Sequence, residues 1–133
     1  MAVAFSPAWA PQLRSILRIV VGLLFMLHGT QKMIAFPDPS GAMPNLPPLM
    51  KAAGIIELVC GALITVGLFT SIAAFVASGE MAVAYFKAHA PGGFWPSINH
   101  GEPAVLFCFV FLYLAFAGPG PWSLDALLFR RRT

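Results

Sequence analysis

Four long apolar stretches, separated by short segments rich in proline and glycine, constrain what this 133-residue chain can fold into. Hydrophobic residues make up 59% of the sequence and charged residues 10%, whereas a soluble domain is about 45–50% apolar and about 25% charged. A transmembrane helix needs about 20 residues, so about four spans fill the chain and leave no room for a separate soluble domain. The sequence therefore predicts an all-α, polytopic membrane protein whose residues 1–133 form one bundle of four transmembrane helices.

The breaks between the apolar stretches define the predicted spans. Proline lacks the amide donor and clashes inside a helix, so the segments rich in proline and glycine are predicted to be loops. The four spans are expected at about residues 13–36, 49–69, 71–89 and 103–117. A tight connection follows the second span, where Thr70 or Ser71 is suited to cap the third. Residues 123–129 are expected to form a short interfacial segment.

Basic residues at the two ends of the chain predict its orientation. Arg14 and Arg18 precede most of the first span, and Arg130, Arg131 and Arg132 follow the last. Four spans put both termini on one side of the membrane, and an excess of Lys and Arg marks the cytoplasmic side. Both termini are therefore expected in the cytoplasm. Three consecutive arginines are too few for a nucleic-acid-binding arm, so the expected environment is the lipid bilayer and no nucleic acid partner is predicted.

A glutamate, Glu57, interrupts the second apolar stretch. An ionisable side chain near the bilayer centre costs about 3 kcal/mol or more, so Glu57 should face the protein interior and have a polar partner. The candidate partners are His28, Lys32 and Glu80. A rise of about 1.5 Å per residue puts His28, Glu57 and Glu80 at a shared depth of roughly 12–14 Å below the outer ends of the spans. Lys32 lies one turn outward of His28, and Lys87 two turns outward of Glu80.

Two interpretations of this polar layer stay open. In the first, two ion pairs only fix the register of the helices. They are Lys32 with Glu57, and Lys87 or His28 with Glu80, and such buried pairs often add little net stability. In the second, the layer exchanges protons with a polar-headed ligand that arrives from the lipid, such as a quinone, since histidine and carboxyl groups donate and accept protons. His28, Glu57 and Glu80 are then the candidate catalytic residues. Three N and O ligands from three helices could also hold a metal ion, but the spacing is not diagnostic and no metal site is predicted.

A second polar group, Asn99-His100-Gly101-Glu102 together with His89, lies at the outer ends of the third and fourth spans. It can be a solvated loop, in which Glu102 meets the positive end of the fourth helix's dipole, or the entrance to the polar layer. The candidate ligand-binding residues run from the polar layer to this entrance and are His28, Lys32, Glu57, Glu80, Lys87, His89 and Glu102.

The two cysteines, Cys60 and Cys108, both lie within apolar stretches. The sequence has no C-x-x-C pair, so a dithiol exchange site is not indicated, and both thiols are expected to be small buried hydrophobes. The chain also lacks the P-loop, G-x-S-x-G and H-E-x-x-H patterns, which removes several large enzyme classes. Whether the protein is an enzyme stays open.

Short motifs distributed along the chain resemble one known family. They are His28-Gly29-x-x-Lys32, Glu57-x-x-x-Gly61, Gly67-Leu68-Phe69-Thr70, Glu80-Met81-x-x-Ala84 with His89, Gly101-Glu102-x-Ala104, and Gly118-Pro119-Gly120-x-x-Ser123-Leu124-Asp125. In their order and spacing they resemble the DoxX family of small four-helix bacterial membrane proteins, over about residues 18–125.

The resemblance implies a fold and a location more than a reaction. It implies an integral subunit of the bacterial inner membrane that is associated with a redox system, because relatives include DoxD, a membrane subunit associated with thiosulfate:quinone oxidoreductase. We accordingly expect a quinone as the ligand or cofactor and an oxidoreductase as the partner protein. The main alternative is a non-catalytic scaffold that recruits such a partner. The third is a small-solute or proton transporter, which could act as a homo-oligomer.

Overall fold

Two helical hairpins packed side by side make up the fold. The structure is a computed structural model that describes residues 5–129, among which no β-strand occurs. Its α-helices are α1 (Ala10–Ile34), α2 (Pro48–Val66), α3 (Thr70–Ala84), α4 (Pro96–Asn99), α5 (Glu102–Ala117) and α6 (Leu124–Leu128). Helix α1 pairs with α2 and α3 pairs with α5, while α2 packs on α3 and contact between α1 and α5 is slight. The all-α class predicted from the sequence is therefore confirmed.

The ends of α3 differ from the prediction in two ways. Its last turn widens into a π-helix at Tyr85–His89, a feature often found at functional sites. The cap predicted at Thr70 or Ser71 is wrong, because Thr70 is already helical and the cap comes from a distant residue. The Asp125 carboxylate accepts hydrogen bonds from the backbone N–H groups of Phe69 (2.7 Å) and Thr70 (2.9 Å). A carboxylate is favourable there because the N-terminus of a helix carries partial positive charge.

Glycines bring α1 and α2 into close contact. A Cβ atom on Gly29 would lie 2.8 Å from the backbone nitrogen of Leu58, and one on Gly61 would lie 2.9 Å from the Cα atom of Met26. No larger residue fits at either position without moving a helix backbone. Small residues at such interfaces let helices approach closely in lipid, where packing drives their association. The close approach sets the distance between the facing side chains of α1 and α2.

Small and aromatic side chains fill the core between the hairpins. The buried small residues of α3 are Ala73, Ala74, Ala77 and Ser78. Ser78 Oγ donates a hydrogen bond to the backbone carbonyl of Cys108 in α5 (2.8 Å). On the other side, Phe25 of α1 meets Phe111 of α5 edge to face, with ring centroids 4.8 Å apart. An edge-to-face pair is a favoured arrangement of aromatic rings, and it is one of the few links between α1 and α5.

Arg18 is wholly buried and ties three segments of the chain together. Its guanidinium donates to the backbone carbonyls of Ile64 and Thr65 (both 2.7 Å), to that of Pro119 (2.8 Å) and to that of Trp122. Ile64 and Thr65 lie in the last turn of α2, where carbonyls have no partner within the helix. We call this cluster the Arg18 junction. Arg18 is one of the arginines on which the predicted orientation depends, and its donors are used inside the protein.

The loop after α1 is held by two polar residues at its start. Gln31 Nε2 donates to the backbone carbonyl of Asp38 (2.8 Å), and Gln31 Oε1 accepts from the Asp38 backbone N–H (3.1 Å). The Ser40 hydroxyl donates to the Asp38 carboxylate (2.6 Å), and this hydrogen bond lowers the pKa of Asp38. The chain is thereby fixed where it leaves the outer end of α1.

Two of the described helices are long and apolar enough to cross a membrane. They are Pro7–Ile34, which includes the short turn before α1, and Pro48–Val66. Helix α5 is apolar but has 16 residues, a length of about 24 Å, which falls short of a hydrocarbon core about 30 Å thick. The count of four spans therefore stays a prediction. The residues Arg130, Arg131 and Arg132, on which the predicted orientation also depends, lie outside the described residues.

Candidate functional site

An ion pair between α1 and α2 lies inside the bundle. Lys32 Nζ is 2.6 Å from Glu57 Oε1 and 2.7 Å from Glu57 Oε2, so the ammonium group faces both carboxylate oxygens. The Glu57 side chain is 1% exposed and that of Lys32 is 23% exposed. Of the partners considered for Glu57 from the sequence, the structure brings Lys32 into direct contact.

Glu80 reaches the same layer from α3. Glu80 lines a cavity that Glu57 and Lys32 also line. The Glu80 Oε2 atom is buried and has no hydrogen-bond partner among the described residues. Two carboxyl groups can hydrogen-bond each other only when one of them carries a proton, because ionised carboxylates are acceptors only. The layer therefore combines an ion pair with an adjacent carboxyl group that has unused hydrogen-bonding capacity.

Lys32, Glu57 and Glu80 line a cavity of about 640 Å³, which we call the polar cavity. Most of its wall is apolar, including Ile56, Val76, Met81, Ala104 and Phe107. Binding sites for small molecules are commonly cavities of about 300–1,000 Å³ with apolar walls and a few well-placed polar groups. The polar cavity has both properties.

His28 joins the same cavity from α1. Its ring stands edge-on to the ring of Phe107, with centroids 5.6 Å apart. The Lys32–Glu57 ion pair lines this cavity as well. The structure thus brings together His28, Lys32, Glu57 and Glu80, the four residues that the sequence predicted to converge in one polar layer.

Three basic side chains line the polar cavity beyond the C-terminal end of α3. Lys87 and His89 come from the π-helical turn at the end of α3, and His100 comes from the loop before α5. A π turn carries an extra residue per turn, so it rotates the side chains beyond it relative to a regular α-helix. His100 was not among the ligand-binding residues predicted from the sequence, because nothing in a short loop indicates which way its histidine points.

Asn99 holds the loop that carries His100. Its Nδ2 donates to the carbonyl of Gly93 (2.6 Å), and its Oδ1 accepts from the N–H of Gly101 (2.8 Å). His89 Nδ1 lies 3.1 Å from the backbone carbonyl oxygen of Asn99. The side chain of Asn99 is buried, so these bonds fix the loop against the π-helical turn rather than leaving it in solvent.

Glu102 differs from the other predicted ligand-binding residues because it does not line the polar cavity. It is the first residue of α5 and is exposed, where its carboxylate meets the positive end of the helix dipole. Gly79 of α3, by contrast, does line the cavity, and a Cβ atom there would meet nothing within 4 Å. Gly79 was not predicted from the sequence, because a glycine in an apolar helix does not indicate that it lines a cavity.

The described residues offer little basis for metal or thiol chemistry. Among residues 5–129, no group of three or more His, Cys, Asp and Glu side chains is arranged to hold a metal ion. Cys60 is buried, Cys108 is half-buried, and both thiols are free. The ionisable groups that line the polar cavity are two amines, three histidines and two carboxyl groups.

Comparisons with known proteins place the chain among bacterial membrane proteins. The DoxX family model matches residues 13–90. An uncharacterized protein of Haemophilus influenzae is 42% identical over 130 residues, which cover 92% of this chain and 96% of that protein. An uncharacterized membrane protein of Mycobacterium tuberculosis is 31% identical over 134 residues, covering 88% of this chain and 82% of that protein. No solved structure matches the chain.

Proposed function

The chain belongs to the DoxX family of membrane proteins, and we propose that it is the quinone-binding membrane subunit of a redox system. In this proposal the polar cavity holds the head group of a lipid-soluble quinone and exchanges protons with it. In this proposal the electrons come from an oxidoreductase partner. The ligand head is bound within the membrane, and the partner docks outside it.

The observation that carries the proposal is the state of Glu80. Its buried Oε2 atom has no hydrogen-bond partner among residues 5–129, although it lies in a cavity beside an ion pair. A buried polar atom that makes no hydrogen bond costs about 1–3 kcal/mol. If the ion pair were purely structural, its groups would be expected to hydrogen-bond the neighbouring Glu80 carboxyl as well. The lack of a partner for Glu80 Oε2 therefore supports a ligand that supplies this hydrogen bond.

The charges in the polar cavity suit proton exchange. Lys32, Glu57 and Glu80 together bring one positive charge and up to two negative charges, so one additional proton makes these three groups neutral, and Lys87 adds a second amine to the cavity lining. A quinone carbonyl can accept a hydrogen bond from Lys32 Nζ or from a protonated Glu80, while His28 can pass protons towards the basic residues at the cavity mouth. Within the proposal, Glu57 orients the Lys32 ammonium group.

The proposal includes four membrane spans, formed by α1, α2, α3 with its π-helical turn, and α5. The cavity mouth then faces outward, and the Arg18 junction lies near the cytoplasmic surface. The support for this arrangement is the family and the two helices of spanning length. The shorter α5 is matched by local thinning of the bilayer, which costs fractions of a kcal/mol per Å.

The test is the binding of an untailed dimethoxy-methyl-benzoquinone to protein in lipid nanodiscs, for the wild type and for Glu80→Leu. Glu80 is the better target because a substitution of Glu57 would also leave Lys32 without its partner. A buried acceptor without its hydrogen bond costs about 1–3 kcal/mol, so Glu80→Leu is expected to weaken binding by about five- to a hundredfold. Asp38→Leu, the removal of a carboxyl group at an exposed loop residue, is expected to leave the affinity unchanged.

A second variant tests the cavity by shape rather than by charge. Gly79→Leu would place a side chain in the open space beside Glu80 while leaving every polar group in place. It is expected to abolish binding of the same quinone and to leave the folded state intact by circular dichroism. Unchanged affinity in both Glu80→Leu and Gly79→Leu would refute the proposal.

The Lys32–Glu57 pair supports the alternative function, a scaffold without chemistry. A bidentate pair between two helices can fix their register whether or not a ligand is present. On this reading the wild type binds no quinone, and the protein copurifies with a partner protein in fixed proportion. Native mass spectrometry of the protein released from nanodiscs separates the two functions, since a bound mass of quinone size supports the first and a bare chain with a protein partner supports the second.

A further inference from the structure

A second concavity lies on the side of the bundle, between α1 and α5. It has a volume of about 670 Å³ and is lined mainly by Val21, Leu24 and Leu27 of α1 and by Leu106, Phe107 and Val110 of α5. We call it the lateral groove. It exists because α1 packs mainly on α2 and α5 on α3, so that contact between α1 and α5 is slight.

The lateral groove and the polar cavity meet at shared walls. His28, Pro103 and Phe107 line both of them. Gln31 and His28 are the polar residues of the groove lining, and both lie towards the outer end of α1. The groove is therefore apolar along most of its length and becomes polar only where it reaches the cavity.

The dimensions of the groove fit the hydrocarbon tail of a ligand rather than a second head group. Along α1 its lining runs from Val21 to Gln31, a rise of about 15 Å. The α1 lining is aliphatic from Val21 to Leu27, with the Phe107 ring at the boundary to the cavity. Phe107 stacks on Phe111, with centroids 5.6 Å apart and planes 16° from parallel, and it also contacts the His28 ring. An extended alkyl or isoprenoid chain matches such a surface.

We infer that the lateral groove binds the apolar tail of the ligand whose head group occupies the polar cavity. The ligand class is thereby narrowed to molecules with one polar head and one long apolar tail, which enter sideways from the lipid between α1 and α5. The head passes His28 and Phe107 to reach Lys32 and Glu80, and the tail stays behind in the groove. This inference rests on the proposed function and specifies the substrate class of the same site.

The test compares two probes that share a head group. One is the untailed dimethoxy-methyl-benzoquinone, and the other is the same quinone with a ten-carbon tail. Leu24→Trp fills the groove, and Leu23→Trp makes the same change at the preceding, similarly exposed residue, which does not line it (Leu24 48%, Leu23 42%). Affinities are measured in nanodiscs and expressed relative to the wild type, so that partitioning of each probe into lipid cancels.

We expect Leu24→Trp to weaken binding of the tailed probe by about tenfold, as crowding of a packed site typically does, and to leave the untailed probe unaffected. Leu23→Trp should change neither affinity. Leu106→Trp adds the same side chain to the α5 wall of the groove and should reproduce the Leu24→Trp result. Agreement of the two variants would exclude a local distortion of α1 as the cause.

Three outcomes would overturn the inference, and they are distinguishable. An unchanged affinity for the tailed probe in Leu24→Trp and Leu106→Trp would mean that the groove holds only ordinary membrane lipid. An equal loss for both probes would mean that the substitutions disturb the head-group site and that the groove has no separate role. If neither probe bound the wild type, the proposed function itself would be refuted, and the tail site with it.

Discussion

At the scale of single residues, the Lys32–Glu57 pair is the contact with the largest energetic consequence. Both groups have been taken out of water, which costs several kcal/mol for each ion before their attraction repays it. Removing one partner leaves the other charge buried alone, whereas removing both leaves an apolar contact. The pair can therefore add little to net stability and still be very sensitive to a single substitution.

Lys32→Met is expected to lower the free energy of unfolding by about 3–5 kcal/mol, because it leaves Glu57 as an unpaired buried carboxylate. The double variant Lys32→Met/Glu57→Leu should recover most of that loss. The measurement is reversible unfolding in mixed micelles with increasing denaturing detergent. Lys51→Met, at an exposed position of the same hairpin, is the control and should unfold like the wild type.

If Lys32→Met proved as stable as the wild type, Glu57 would have to be held by groups other than Lys32. The account of the polar cavity as an ion pair beside a spare carboxyl group would then be wrong. A loss that the double variant failed to recover would instead show that Lys32 contributes through its packing and not through its charge.

Residue-level prediction from the sequence succeeded where depth alone decides contact. His28, Lys32, Glu57 and Glu80 line one cavity, as counting helical rise along the chain suggested. The contacts of Arg18 were not predicted, because they depend on carbonyl groups that come together only in the folded chain. An arginine at the start of an apolar stretch looks the same whether it faces the membrane surface or the ends of neighbouring helices.

At the scale of elements, the α1–α2 hairpin is the part that positions the site. Glycines recur at the same spacing on both helices, at Gly22 and Gly29 in α1 and at Gly54 and Gly61 in α2, and each would clash with the facing helix if it carried a Cβ atom. The hairpin holds Lys32 against Glu57, so a change in the separation of its helices should act on the ion pair directly.

Gly29→Ala is expected to destabilise the protein by about 1–3 kcal/mol, the usual cost of adding atoms to a packed interface, because its Cβ atom would lie 2.9 Å from the carbonyl oxygen of Gly54. Gly79→Ala is the matched control, as nothing lies within 4 Å of the added atom. It should stabilise the protein by about 0.5–1 kcal/mol through the higher helix propensity of alanine. Thermal unfolding of both variants in detergent measures the two opposite shifts.

Equal effects of the two alanine substitutions would contradict the close contact of α1 with α2. A destabilised Gly29→Ala that still bound quinone with wild-type affinity would show that the hairpin supports the fold without tuning the polar cavity. The stability and the affinity of this variant should therefore be measured on the same preparation.

The elements themselves were predictable because apolar length and helix breakers determine them locally. The long helices begin and end near the bounds expected from the proline-rich and glycine-rich segments. The π-helical turn at Tyr85–His89 and the cap that Asp125 gives to α3 were not predictable. The carboxylate of Asp125 lies 55 residues along the chain from the Thr70 N–H that it caps, and local patterns carry no information over such a distance.

At the scale of the whole molecule, the fold divides into two ends. The loop after α1 and the loop that Asn99 holds lie at the end with the cavity mouth. The start of α1, the turn between α2 and α3, and the segment after α5 meet at the Arg18 junction. This division follows from the alternating direction of the helices, and the orientation predicted from the sequence puts the Arg18 junction on the cytoplasmic side.

Cysteine labelling is expected to show both ends of the described chain on the cytoplasmic side. In a background with Cys60 and Cys108 replaced by alanine, Ser40→Cys and Ser97→Cys should react with a membrane-impermeant maleimide in intact cells. Ser6→Cys and Leu127→Cys should react only after the membrane is opened. All four positions are exposed on the protein, so a difference in labelling reports the side of the membrane and not burial.

The opposite labelling pattern would contradict the orientation predicted from the arginines. Reaction of Ser6→Cys and Leu127→Cys on different sides would contradict four spans, because an even number of crossings returns the chain to the side from which it started. Either result would move the cavity mouth relative to the cytoplasm and would change where a partner protein could dock.

The Arg18 junction also bears on the order in which the protein is made. Arg18 leaves the ribosome early, yet two of its four acceptors, Pro119 and Trp122, follow it by 101 and 104 residues. Until the segment after α5 has been synthesised, the Arg18 guanidinium must be solvated by water or by lipid head groups. A nascent chain that stops before Pro119 can close its helical hairpins but keeps part of a guanidinium unsatisfied. The junction therefore forms only after the segment that follows α5 has been synthesised.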